Sequence, residues 1–384
     1  MHLFWTALFG SIALLWFIQG LRAARGMSRL PRLADVTPLP EDDCPNVSVL
    51  FAARDEAEKL PAALQTLLAQ DYPRYEVVAA DDRSRDATPR ILDEYARTNK
   101  RLKVLHLTEL PPAWLGKTHG LQTAYEHSSG EWLVFTDADV QFAPDLLHRA
   151  VALALLKGWD HLTLIGHLDL AGFWEKTVTI YFGVGFALGV EPWRVHNPRS
   201  GRYMGVCYFQ LLRRSAYEAI GTHRRLAMEI VDDMKLGRLV KLGGFRSGVG
   251  VAQGRIRLRW NEGLGEIVRG VTKNFFAAGG FGVARTAGDL SGILILSALP
   301  FFAVVFAHGL TRVLAAMAAT AAVSLHAWAA RNYEVSWLYG FTHPLGALIF
   351  CYMLLRSMVV TLWRGGVEWR GTFYPLNELK RGMV

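Results

Sequence analysis

Uncharged apolar runs stand toward both ends of the chain, and short apolar stretches alternating with amphipathic ones fill its middle. Residues 3–21, "LFWTALFGSIALLWFIQGL", carry no charge, and at about 1.5 Å per residue they span a hydrocarbon core of roughly 30 Å. No basic stretch precedes this run and no A-x-A-like site follows it, which argues against a cleaved signal peptide. The arginine-rich flank "RAARGMSRLPR" directs the following residues to the cytoplasm. Three more runs, beginning at Leu290, Val313 and Leu345, are each long enough to cross, with Trp328, Trp337 and Trp363 near their ends. Counting crossings from a cytoplasmic middle puts the tail "RGGVEWRGTFYPLNELKRG" outside, against its basic charge. Either one apolar run is re-entrant or interfacial, or the charge bias fails.

Between these ends, "VSVLFAA" reads as a buried strand, and "LPAALQTLLAQ" sets Leu60, Leu64, Leu67 and Leu68 on one helical face. "YEVVAADD" is a second strand, followed by "ATPRILDEYA" with Thr88 as cap and Pro89 at the first helical position. The strand "KVLHL", a helix from about Lys117, the strand "EWLVFTDADV" and a helix opened by Pro144 continue the alternation. This order predicts an α/β domain with an open, mostly parallel, doubly wound sheet, which binds ligands at the carboxyl ends of its strands. The expected divisions are a membrane anchor over 1–22, a linker over 23–46, the α/β domain over 47–285, and membrane helices with a basic tail over 286–384. Residues 177–193, "TVTIYFGVGFALGVEPW", are short for a span; they read as an interfacial helix or as a core one.

The chain has 384 residues, 51% of them hydrophobic, and a formal net charge of +8. The basic residues cluster at membrane flanks and in the stripe "RIRLRW", so anionic lipid or a phosphorylated substrate fits better than nucleic acid. The three cysteines, Cys44, Cys207 and Cys351, have neither metal nor redox spacing.

Acidic residues gather where the expected strands end. Asp55 follows the first, Asp81 and Asp82 close the second, and Asp137 and Asp139 close "EWLVFTDADV". Residues i and i+2 of an extended chain point to one side about 7 Å apart, so Asp137 and Asp139 are candidate ligands or acceptors for one object. Mg²⁺ and Mn²⁺ take one or two such carboxylates and complete their shells with phosphate oxygens; the alternative is a solvated turn that caps a helix. In "ADDRSRDATP" a carboxylate suits a ribose or base N–H, while Asp86 and Thr88 suit a turn and a cap. Lys117 in "AWLGKTHG" stands at a loop-to-helix junction where a cation meets phosphate. Asp232 and Asp233 open the helix of "IVDDMKLGRLVKLGG", as dipole partners or as a base for an acceptor hydroxyl. Arg255, Arg257 and Arg259 alternate, and an extended chain aims them one way, at a diphosphate or at lipid headgroups.

The order "AARDE", "ADDRSRDATP", "LGKTHG", "FTDADV", "IVDD" and "RIRLRW", between an N-terminal anchor and C-terminal membrane helices, resembles the family 2 glycosyltransferases of GT-A fold. Within them it is most similar to the membrane-bound branch of ceramide glucosyltransferases and hopene-associated and carotenoid-type bacterial enzymes. The resemblance implies that Asp55 and Asp82 contact a nucleotide and that Lys117 lies near the donor. It also implies that Asp137 and Asp139 hold the donor diphosphate with Mg²⁺ or Mn²⁺, and that Asp233 is the general base. Asp232 replaces the family's usual glutamate, and Ile256 stands where the Q/R-x-x-R-W pattern has Gln or Arg, so only Arg259 and Trp260 carry over as donor-binding residues.

The expected function is one inverting transfer from a nucleotide sugar, UDP-linked by expectation, to the hydroxyl of a membrane lipid. The expected setting is a multi-pass protein of the inner cell membrane with a cytoplasmic catalytic domain. A processive polysaccharide synthase, an inactive membrane scaffold and a transporter are the alternatives. Arg356 is the one charge within the last apolar run, and the missing residue at 256 favours single transfer over a polymer.

Overall fold

The computed structural model describes residues 2–260 and 262–384. The first helix, α1 (His2–Met27), leads through a 3₁₀ turn into strand β1 (Val47–Ala53). Next come α2 (Leu60–Leu67), β2 (Tyr75–Asp82), α3 (Thr88–Thr98), β3 (Leu102–Leu107), α4 (Gly116–Glu126), β4 (Trp132–Phe135), the short β5 (Gln141–Phe142) and α5 (Leu146–Lys157). The chain continues through β6 (His161–Ile165), β7 (His167–Leu168), α6 (Phe173–Val190), β8 (Gln210–Arg213), α7 (Arg214–Ala219), α8 (Asp232–Leu242), β9 (Ser247–Val251) and β10 (Ile256–Leu258).

The main sheet has the order β3-β2-β1-β4-β8-β6-β9, parallel except that β8 runs against both β4 and β6. Its strands are apolar runs because helices cover both faces: Val49, Phe51, Val77 and Val134 pack with α2 and α5 residues on one side. Leu50, Val78, Leu133 and Leu212 meet Leu121, Leu236 and Leu239 on the other. A smaller sheet, β5-β10-β7, sits beside it.

Two local expectations shift. Thr88 is the first residue of α3 rather than its cap, and Asp86 takes the turn role by accepting from Thr88 N at 2.9 Å and Ala57 N at 3.0 Å. The next helix opens at Leu146, not Pro144. Ala143 N and Pro144 O are held by Arg255 O and Asp71 N, which keeps that segment on the sheet edge. Within the segment over 23–46, Leu33 and Cys44 are buried in the domain core and Arg149 donates to Val36 O at 2.5 Å.

After β10 the chain forms α9 (Gly263–Thr272), α10 (Phe275–Ala278), α11 (Val283–Ile293), a five-residue π segment, α12 (Leu299–Phe306), α13 (Gly309–Asn332) and α14 (His343–Arg364). A hairpin of β11 (Gly366–Trp369) and β12 (Thr372–Pro375) and a last helix, α15 (Leu376–Arg381), follow. Among the described residues four stretches are long and apolar enough to cross a membrane: His2–Met27, Val283–Phe306, Gly309–Asn332 and Trp337–Arg364. The π segment has a local cause. Pro300 has no N–H for the carbonyl four residues back, Leu296, and the Trp16 indole donates to that oxygen at 2.9 Å instead. Small residues on α13 (Ala315, Ala318, Ala322) let α1 approach closely through Phe9, Ile12 and Ala13.

Helices α1 and α13 run the same way, with Thr6 against Thr311 at their starts and Gly20 against Leu325 further along. α13 therefore returns to the α/β domain, where Tyr333 and Glu334 line a cleft with His167, Asp169 and Arg259. The last apolar stretch starts there, Tyr339 packing on Phe173 at 5.8 Å, and it ends there too, at the hairpin held by Gly116 and Glu56. Beginning and ending on one side, it lies along the domain, with Met353 packed among Val178, Ile267 and Val271. Both ends of the last apolar stretch therefore lie beside the domain, and so does the tail, whose Val384 meets Glu229, Lys235 and Arg238. α6 packs between domain and membrane helices, with Ile180 and Val184 in the membrane cluster. Beneath it Glu191, buried, receives Arg22 of α1 together with Arg194 and Arg202.

Candidate active site

The carboxyl ends of β1, β2 and β4 and the starts of α4 and α8 converge, as the sheet topology requires. Asp55, with φ of 54°, links two loops: its N–H donates to Ser84 Oγ at 3.0 Å and its Oδ1 accepts from Arg85 N at 2.7 Å. The two aspartates ending β2 have separate duties. Asp81 is buried and accepts from Ser84 N at 3.2 Å and lies 2.9 Å from His106 Nδ1, a structural pairing that raises the His106 pKa. Asp82 turns toward α4. Arg83 donates to it at 2.7 and 3.1 Å, and Arg54 stands 3.5 Å away. The helix start must be Gly116, because a Cβ there would lie 2.0 Å from Asp82 Oδ2.

Lys117, one residue on, meets Asp137 Oδ1 at 2.7 Å. Burial works against its charge, but Asp137, then Asp232 and Asp233, hold the ammonium form well above its ordinary range. Burial and then Asp137 raise Asp139. Burial raises Asp232, with Lys117 opposing and Asp137 adding. Burial followed by the charge of Asp232 lifts Asp233 to about 6, while Met234 N–H donates to its Oδ1 at 2.7 Å. β4 stops at Phe135, so Asp137 and Asp139 sit in the turn beyond it and not on an extended strand as expected; with the acids that open α8 they share one electrostatic neighbourhood around Lys117.

Several members of that neighbourhood carry no sequence signal of their own. Glu56 pairs with Arg370 of the β11–β12 hairpin. Burial raises its pKa against the pull of Arg370, and Asp139 and Asp137 raise it further. Lys273, between α9 and α10, is lowered to about 8 by burial and then by Lys117, and it too faces Asp232 and Asp137. Cys207 lies beside Asp137 and Lys117, and burial keeps its thiol protonated. Glu56 lies within the quoted "ARDE", next to Asp55; for Lys273 and Arg370 only the folded chain reveals the proximity.

The arginine stripe behaves otherwise than three cations on one ligand. Arg255 pairs with Asp145 at 3.0 Å, Arg257 with Asp169 at 2.7 Å, and Arg259 with Glu175 at 3.0 Å and Glu262 at 3.3 Å. Ile256 between them is fully buried, which explains an apolar residue at that position. Trp260 packs on Phe182 of α6 at 5.2 Å, toward the membrane side.

Among the described residues no group of three or more His, Cys, Asp or Glu side chains is arranged to hold a metal ion. The residues present fit a cation that takes one or two carboxylates and completes its shell from a phosphorylated ligand: Asp137 and Asp139 repel one another, and Lys117 answers only part of that charge.

Residues 48–167 match the family described as Glycosyl transferase family 2. A beta-monoglucosyldiacylglycerol synthase of Trichormus variabilis is 34% identical over 143 residues, covering 36% of this chain and 30% of the relative. Its counterpart in Synechocystis sp. is 26% identical over 279 residues, covering 65% and 55%. The chain thus spans about a third to a half of the length of these relatives. A 4,4'-diaponeurosporenoate glycosyltransferase of Staphylococcus haemolyticus is 22% identical over 260 residues, 65% of each chain. Among solved structures, a mannosyltransferase of Pyrobaculum calidifontis in complex with GDP-Man and Mn²⁺ superposes with a TM-score of 0.56 at 21% identity, covering 94% of this chain and 99% of that one. That likeness establishes the fold, an α/β sheet of GT-A type.

Proposed function

We propose that this chain, whose residues 48–167 match glycosyl transferase family 2, moves a sugar from a nucleotide-diphosphate donor, UDP-linked by expectation, to the hydroxyl of a membrane lipid. The observation that carries this reading is Lys117 set among Asp137, Asp232 and Asp233 at the ends of β4 and the start of α8. On this reading Asp55 and Asp82 bind the nucleotide, Lys117 and Asp137 receive the diphosphate, and Arg259 and Trp260 close the membrane-facing side. Asp139 and Asp137 would hold Mg²⁺ or Mn²⁺, whose chemistry when bound is to counter the charge of the leaving diphosphate.

Asp233 takes the proton of the acceptor hydroxyl, the freed oxygen attacks the anomeric carbon, and the nucleoside diphosphate leaves from the opposite face, so configuration inverts. A base near pH 6 suits that task, since it is ionised at neutral pH yet retains basicity. Asp232, fully surrounded, is the weaker candidate because it is the less exposed of the pair.

A lipid acceptor is supported by α6 and α14, apolar helices that pack beside Trp260, and by the activities for which the relatives are named. A cleft of about 390 Å³ between β7 and the end of α13, lined by Lys176, Arg259, Asp169 and Glu334, offers a polar entry at that boundary. Single transfer is favoured over a processive synthase by the buried Ile256 and by a helical bundle with few crossings. The inner cell membrane with a cytoplasmic active site is the setting that the arginine-rich flank of α1 supports.

The test is to incubate membranes with labelled UDP- and GDP-sugars and extract the lipids. A labelled lipid that disappears with Asp139→Ala and Asp233→Ala supports the reading. Equal product from both variants removes the site, and a long polymer replaces single transfer with processive synthesis.

A further inference from the structure

The β11–β12 hairpin reaches the candidate site from the far end of the sequence and touches it at three points. Trp369 lies under Lys273, whose Nζ is 3.9 Å from the ring centroid. Tyr374 Oη accepts from Gly116 N at 3.3 Å, beside Lys117. Arg370, at the tip, pairs with Glu56, beside Asp55. The base of the hairpin is anchored: Val367 and Tyr374 are buried with Leu115, Met228 and Phe276. The tip is not, with the Arg370 side chain 46% exposed.

The turn itself is unusual for its residues. Trp369 pairs with Thr372, so Arg370 and Gly371 form a two-residue loop, with φ of 49° and 73°. Such a loop needs left-handed backbone at both positions and is ordinarily filled by Asn, Asp or Gly. An arginine there is disfavoured, and a disfavoured backbone kept beside a site points to a use for the side chain. A half-exposed ion pair contributes little to stability, so the pair with Glu56 does not by itself account for it.

We propose that Arg370 is a donor-binding residue: Glu56, next to Asp55, holds its guanidinium at the edge of the candidate site, and the diphosphate of the nucleotide takes it over as a two-pronged partner. The proposal rests on the family 2 reading of the site. Its chemistry is that of a planar fork matched to phosphate oxygens. Glu56 serves as a carboxylate stand-in for the ligand, its charge already crowded by Asp139 and Asp137. The hairpin thereby ties the end of α14 to the occupancy of the donor site.

The test uses the full chain in nanodiscs, with UDP and GDP as probes in the presence of Mn²⁺, read by titration calorimetry and thermal melting. Arg370→Gly relieves the left-handed strain, so it folds with unchanged or raised Tm, yet its nucleoside-diphosphate affinity falls about tenfold or more, as for loss of a charge-assisted contact. Arg370→Lys retains part of that affinity. Affinity within twofold of the parent for Arg370→Gly overturns the proposal while leaving the family 2 reading intact, as does a lowered Tm with unchanged affinity. Failure of the parent to bind either probe instead removes the family 2 reading, and the proposal with it.

Discussion

The Lys117 ammonium stands 2.7 Å from Asp137 Oδ1 and is also felt by Asp232 and Asp233, so one cation balances acids from two separate elements. Replacing it with a neutral side chain, Lys117→Met, removes an opposing charge from both α8 acids. The acid limb of the pH–rate profile then moves to higher pH, and donor affinity weakens by about tenfold or more. An unmoved limb with intact affinity would show that Lys117 is only a structural partner of Asp137.

Asp233→Asn separates chemistry from stability. The folded-state value of about 6 lies above the ordinary 3.8, so between those values the folded chain binds a proton more tightly than the unfolded one. This contribution favours folding at low pH and is lost as pH rises through about 6. The asparagine variant therefore melts higher than the parent at pH 7.5, and by a smaller margin at pH 5. Turnover falls by roughly 100 to 10,000-fold, the usual loss for a missing general base. Turnover of the parent falls as pH drops below about 6.

Asp139→Ala relieves a carboxylate that burial and Asp137 hold against its charged form. Removing it is expected to abolish any response of nucleoside-diphosphate binding to added Mn²⁺, with chelation lowering parent affinity to the level of the variant. A variant that keeps the full Mn²⁺ response would place the cation elsewhere.

Gly116→Ala sets a methyl 2.0 Å from Asp82 Oδ2, on a helix start whose N–H also donates to Tyr374. The expected cost is about 1–3 kcal/mol, as for other overpacked sites, seen as a lower Tm. Ser129, equally near a helix end but on the surface, should tolerate alanine with a change of about 0.5 kcal/mol or less beyond the lost donation from its Oγ to Glu76, since its N–H keeps its own bond to that carboxylate.

Cysteines placed at Lys100 in the α/β domain and at Lys380 in the tail should react alike with an impermeant maleimide in oriented vesicles. Both positions lie on the domain's side if the last apolar helix does not cross. Opposite labelling would restore a full crossing for that helix.

The sheet was legible because its strands are buried on both faces and read as unbroken apolar runs, with Asp82 closing β2, although β4 ends at Phe135, short of the aspartates expected to close it. β1 and β2 begin and end where the pattern places them. β8 was less legible, since its direction against β4 and β6 depends on where α6 returns the chain. The arginine stripe misled because alternation fixes a common face, while Asp145, Asp169 and Glu175, distant in sequence, decide what each guanidinium meets. Asp55, Asp82, Lys117, Asp137, Asp139, Asp232 and Asp233 were readable from local motifs. Lys273 and Arg370 were not, because no local pattern announces neighbours so distant in sequence, and Glu56, though inside "AARDE", gives no hint of its partner Arg370.

Glu191 has a mechanical consequence. By gathering Arg22 from the first helix with Arg194 and Arg202 from the domain, it welds the anchor to the enzyme body instead of leaving it on a leash. Joined in this way, the first helix and the α/β body move as one piece, so on the proposed reading any tilt of that helix in a bilayer is passed directly to the donor site.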